Sequence, residues 1–211
     1  MTTDLEIVLD ATLSDRQLLD HPFYRRWQAG ELSRDELTEY AEQYRFFETM
    51  FPGFLEKLSA RLPDGPARRA VLDNLDDEVS PPNHLALFEQ FANSFDASDA
   101  AISPATSHLV ESYAALLGRG PEAALAGLWA YEGQGAQIAQ SKAEGLITHY
   151  GAQSDALAFW TAHGSIEDDH AKWTLEALSL LEPDLGEVAF GAGLIAEAWW
   201  LFLNERELLA A

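Results

Sequence analysis

Proline and glycine divide this chain into long segments whose apolar residues recur at helical spacing, and the β-branched alternation of strands is absent. That pattern restricts the chain to an all-α fold. A first helix is expected from about Leu5 to Leu19, and a short one from Pro22 that stops at Gly30. Ser33-Arg34-Asp35-Glu36 has the form of a capping box opening a helix that carries Tyr40, Tyr44 and Phe47, which Pro52 should kink or end. After a turn at Pro63-Asp64-Gly65-Pro66, helices are expected over Ala67–Val79, from His84, over Thr106–Leu117 and over Pro121–Tyr150. Asn93–Pro104 reads as a loop. Ser154 should cap the next helix, and Leu185 to about Leu208 form the last. No repeat or linker marks a second domain, so residues 1–211 are expected to form one compact bundle of about seven to eight helices. Trp199, Trp200 and Phe202 on the last helix read as core packing.

Charge narrows the class of partner. The formal net charge is −22, which would repel nucleic-acid phosphates and anionic lipid surfaces. No apolar stretch approaches the length of a bilayer span, and Met1–Glu6 has no apolar run of a leader. There is no cysteine, which excludes disulfides, thiolate nucleophiles and iron–sulfur ligation. A cytoplasmic protein is expected, with no nucleic acid and no membrane among its partners.

The chemistry concentrates in His163-Gly-Ser-Ile-Glu167-Asp168-Asp169-His170. At about 100° per residue, a helix places His163, Glu167 and His170 within an arc of roughly 60°. Two imidazoles and a carboxylate on one face suit non-haem iron or manganese. Glu167-x-x-His170 is also the i, i+3 pair of di-iron carboxylate bundles. Glu132 adds a lone acid in a small, apolar stretch, where its burial needs a positive partner. Glu78 and His84 can converge on the site if Pro81 and Pro82 fold the chain back. Taken singly, each has a plainer reading: a solvated acid, a helix-start histidine, a buried ion pair. Together they read as a two-metal ligand set. His21, His108 and His149 read as non-ligands.

These residues resemble the haem-oxygenase-like dimetal oxidases, or iron-containing redox enzymes. The resemblance covers roughly Leu18–Leu181 through His21-Pro22-Phe23, Tyr40-Ala-Glu-Gln-Tyr44, Asn74-Leu-Asp-Asp-Glu78, His84 to Phe91, Tyr131-Glu132 and the His163–His170 motif. It implies a haem-oxygenase-like bundle of about seven helices around a central Fe/Fe or Fe/Mn site. It also implies O2 and an external reductant as reactants, and a possible homodimer. Within the family the likeness runs to the group of the chlamydial protein associating with death domains. That group is understood to make para-aminobenzoate for folate from its own tyrosine, with a lysine as amino donor. The matching positions are Tyr24 and Lys142, with Tyr40 and Tyr131 as aromatic neighbours. Lys142 stands out without the resemblance too, as the only lysine or arginine between Arg119 and Lys172; its plainer reading is a surface lysine pairing, for example, with Glu144 or a neighbouring helix. Two positions depart from the group. The spacing from Glu78 to His84 is one residue short, which leaves Asp77 open as the ligand, and Phe159 stands where the group has a tyrosine.

The resulting reading is an O2-activating dimetal oxidase that forms para-aminobenzoate from Tyr24 with nitrogen from Lys142. Two alternatives are a dimetal oxidase or oxygenase acting on an external small-molecule substrate, an amino acid or fatty acid, and a metal-free helical binding protein with an acidic docking face.

Overall fold

The computed structural model describes residues 3–209, with the side chains of residues 165–168 outside the description. The described residues form nine α-helices and one 3-10 turn, with no strand. The helices are α1 (Asp4–Leu13), α2 (Pro22–Ala29), α3 (Arg34–Ser59), α4 (Pro66–Val79), α5 (His84–Ser94), α6 (Pro104–Arg119), α7 (Pro121–His149), α8 (Ser154–Leu180) and α9 (Leu185–Leu209). The all-helical bundle expected from the periodicity is what the chain forms.

Local signals account for most helix ends. The Ser33 hydroxyl accepts from the Glu36 N–H while Glu36 accepts from the Ser33 N–H, the reciprocal pair expected of that motif. Gly30 closes α2 at φ +70°, a conformation that an L side chain rarely adopts. Three expectations are corrected or narrowed. The segment Leu5–Leu19 is interrupted: α1 ends at Leu13, and Leu18–Asp20 is a 3-10 turn. Of the two outcomes expected at Pro52, a kink or an end, it does not end its helix, because the buried face of Phe47, Phe51, Phe54 and Leu58 continues past it and its packing outweighs one missing N–H. Ser154 is the first residue of α8 rather than its cap; Gln153 holds the cap position without a side-chain bond.

Helix α3 is the spine. Tyr40, Tyr44, Phe47, Phe51 and Phe54 repeat at alternating four- and three-residue steps and are all buried. Helix α7 packs most extensively against α8 and α9. The α7–α9 crossing is close enough that a Cβ on Gly191 would lie 2.1 Å from the Ala123 carbonyl oxygen. Helix α9 corrects the expectation that no stretch is long and apolar enough to span a membrane, since by length and composition it qualifies. Here it packs against α1, α6 and α7, burying Val188, Ile195, Trp199, Phe202 and Leu203. Arg206 near its end is buried and meets Glu39 of α3 at 3.4 Å.

Candidate active site

The turn through Pro81 and Pro82 reverses the chain between α4 and α5. Glu78 in the last turn of α4 thereby meets His84, the first residue of α5, with Glu78 Oε2 2.9 Å from His84 Nδ1. The two are close without being aligned for a hydrogen bond, so this buried nitrogen has no hydrogen-bond partner among the described residues. The His163 ring from α8 lies 4.4 Å from the His84 ring, centroid to centroid. One donor atom each from Glu78, His84 and His163 lie within 4.8 Å of one another.

Glu132 projects from α7 into the same space and is only 2% exposed. Asn74 Nδ2 donates to its Oε1 at 2.6 Å, and Thr174 Oγ1 donates to its Oε2 at 2.7 Å. Burial nevertheless pushes its carboxyl group up to about 8, because two neutral donors do not repay the loss of water. His163 Nδ1 donates to the Phe159 carbonyl at 2.9 Å, which leaves Nε2 as its lone-pair atom. Burial, with His84 beside it, holds this imidazole well below its usual range and therefore neutral. His170 is buried, and its Nε2 lies 3.1 Å from Asp77 Oδ2, the geometry of a carboxylate orienting an imidazole from behind. Asp77 thus faces His170 while Glu78 faces His84. The Glu167 side chain lies outside the described residues, although its backbone continues α8.

The acids and His163 surround a small cavity of about 10 Å3, bounded on the α3 side by Tyr44, Phe47, Glu48 and Phe51. Glu48 was not anticipated. It is 4% exposed, and burial followed by the nearness of Glu78 raises its carboxyl group well above the usual range. The signal was present: like Glu132, it is a lone acid in an apolar run, Phe46-Phe47-Glu48-Thr49-Met50-Phe51. Asn74 and Thr174 were also missed as partners of Glu132, because one contact spans α4 to α7 and the other α7 to α8.

Beside this cavity lies a second cluster. Lys142 is no surface residue: it is 1% exposed, and its Nζ donates to the Tyr40 hydroxyl at 2.6 Å. The Tyr40 hydroxyl is 3.1 Å from that of Tyr24. The amine sits 4.1 Å from the Trp160 ring centroid and 4.6 Å from that of Tyr24. Burial holds it well below the usual lysine range, with Glu48 pulling the other way. Tyr24, Tyr40 and Tyr44 are buried and their hydroxyls pushed above the usual range, so they are neutral phenols. Tyr44 joins the clusters: it stacks on Tyr40 at 5.4 Å, and its hydroxyl shares a short hydrogen bond with Tyr131 at the cavity wall. Phe159 packs its ring 4.0 Å from that of His163.

The donor set fits iron. Buried carboxylates and imidazoles converge, one ring nitrogen is unpartnered, and no arginine or lysine salt-bridges Glu48, Glu78 or Glu132 among the described residues. The other histidines are occupied or outside. His21 Nδ1 accepts from the Phe23 N–H at the start of α2, His149 Nε2 donates to the Gln28 carbonyl, and His108 is exposed.

Comparison with known proteins agrees with this geometry. Residues 38–200 match the family model described as iron-containing redox enzyme. The chain is 33% identical to a 4-aminobenzoate synthase of Chlamydia pneumoniae over 216 residues, covering 97% of this chain and 95% of that one. Among solved structures it is similar to a CADD-like protein of unknown function from Nostoc punctiforme, with a TM-score of 0.81, 18% identity, and coverage of 98% and 96%. It is also similar to a domain with a heme oxygenase-like fold from Shewanella denitrificans, with a TM-score of 0.71, 15% identity, and coverage of 98% and 92%. These findings displace the metal-free binding-protein alternative. The chain belongs to the iron-containing redox enzyme family, and it is an oxidoreductase with a haem-oxygenase-like fold.

Proposed function

We propose that the protein is a dimetal oxidase that forms para-aminobenzoate from its own Tyr24, with Lys142 as amino donor. The observation that carries this reading is a buried amine 4.6 Å from the Tyr24 ring centroid, beside a cavity of carboxylates and imidazoles. Glu78, His84, Glu132, His163, Glu167 and His170 would hold two ions, Fe/Fe or Fe/Mn. When bound, these ions supply the O2-dependent oxidising power, with electrons from an external reductant.

The residues divide the remaining work. Burial lowers the Lys142 amine well below the usual lysine range, which favours the lone pair that amination of a ring requires. Tyr40 holds the amine and the Tyr24 phenol on one hydroxyl, which fixes them as neighbours. The ring and Cβ of Tyr24 would account for the seven carbons of the product: the Lys142 nitrogen parts from Cε and replaces the phenolic oxygen, which leaves as water, while the Cα–Cβ bond breaks and Cβ is oxidised to the carboxylate, with O2 as the oxidant. Tyr44 and Tyr131 bridge between this pair and the cavity. The surrounding aromatic side chains exclude water from oxidised side chains.

Two measurements test this. Elemental analysis of protein grown with iron and manganese should find about two transition-metal ions per chain, lost in His163→Ala. The purified protein, given metal, O2 and reductant but no added substrate, should then release para-aminobenzoate once. Tyr24→Phe should release none. Undiminished product from Tyr24→Phe rules out the tyrosine, and product only with an added substrate rules out the internal route.

A further inference from the structure

We propose that Glu48 is a further carboxylate donor to the metal pair, delivered by α3 across the cavity from α4, α5, α7 and α8. This rests on the dimetal reading above. The six proposed ligands leave the α3 wall of the cavity unused. On that wall Tyr44, Phe47 and Phe51 offer rings, and Glu48 alone offers a carboxylate. Its burial has no plain structural explanation. No arginine or lysine salt-bridges it among the described residues; Tyr44, one turn earlier, gives it a hydrogen bond, and its nearest charged neighbour there is another carboxylate, Glu78. A leucine or methionine would fill this aromatic face at lower cost.

Charge balance supports the same assignment. Two divalent ions set against three carboxylates leave one positive charge buried, with neutral imidazoles contributing nothing. A fourth carboxylate brings the buried charge to zero, which is also the carboxylate count of di-iron sites in other helical bundles. Glu48 is adjacent to Glu78 and faces Glu132 and His163 across the cavity. It lies on the side from which Tyr44 connects to the Lys142 cluster. Its place makes it the ligand between the metal pair and the residues proposed to react.

Anaerobic titration of wild type, Glu48→Gln and Glu48→Asp with Fe(II), and separately with Mn(II) followed by electron paramagnetic resonance, tests the assignment. Wild type should bind two ions per chain. In Glu48→Gln one of the two should bind at least about tenfold more weakly, with loss of the coupled two-manganese signal and unchanged helical circular dichroism. Glu48→Asp keeps the charge but shortens the reach, and should also bind its second ion more weakly than wild type. It carries the test if the glutamine variant does not fold. Wild-type stoichiometry, affinity and signal in the folded variants overturn the role of Glu48 and leave the six-ligand site intact. Absence of metal from wild type overturns the dimetal reading and this inference with it.

Discussion

Replacing Lys142 with methionine should give a stability difference that depends steeply on pH. The two side chains are similar in length and both unbranched, so packing against Trp160 and Tyr24 is largely kept. The lost bond to Tyr40 is a cost of about 1 kcal/mol that does not vary with pH. The titration is different. Burial holds the folded amine well below 10.5, while in the unfolded chain it titrates normally. Between those two values the unfolded state binds one proton that the native state does not, so wild-type stability rises with pH at about 1.4 kcal/mol per pH unit. The penalty of burying lysine vanishes above 10.5 and grows as pH falls toward the folded value. Methionine carries no such term. Urea unfolding of both proteins at pH 8.5 and 9.5 should therefore show wild type gaining about 1.4 kcal/mol on the variant over that interval. Other ionisable groups are common to both and cancel. A difference that stays constant with pH would mean that Lys142 remains an ammonium in the fold, held by its ring of aromatic faces. The nucleophilic role given to its nitrogen would then fail.

Further expectations follow from packing and from the support of Glu132. Thr174→Val removes the donor to Glu132 Oε2 and should weaken metal binding about tenfold, while helicity by circular dichroism is unchanged. Gly191→Ala drives a methyl group into the Ala123 carbonyl at the α7–α9 crossing and should cost about 1–3 kcal/mol or more in chemical denaturation. Gly53→Ala, inside α3 with nothing within 4 Å of the new Cβ, should instead stabilise by about 0.5–1 kcal/mol.

The His163–His170 motif could be read from the chain because all its members lie on one helix, where spacing alone decides which side chains share a face. Glu132 could be read because a lone acid in an apolar helix signals burial. Glu48 carries the same signal and was passed over, since no motif or neighbouring histidine drew attention to it. The plainer alternative for Lys142, a surface lysine, is excluded only by the fold: a lysine among polar and small residues says nothing about the rings of Tyr24 and Trp160 that close over it.

Local rules were sufficient for the helical class, the capping box at Ser33, the stop at Gly30 and the face shared by His163 and His170, because periodicity and capping act within a turn or two of chain. Tertiary structure alone decided that α3 passes through Pro52, that Glu78 meets His84 while Asp77 meets His170, and that Glu48 and Lys142 are buried near one another. Those outcomes depend on which helices pack together. The free energy that selects them comes from side chains far apart in sequence, so no stretch of the chain carries it alone.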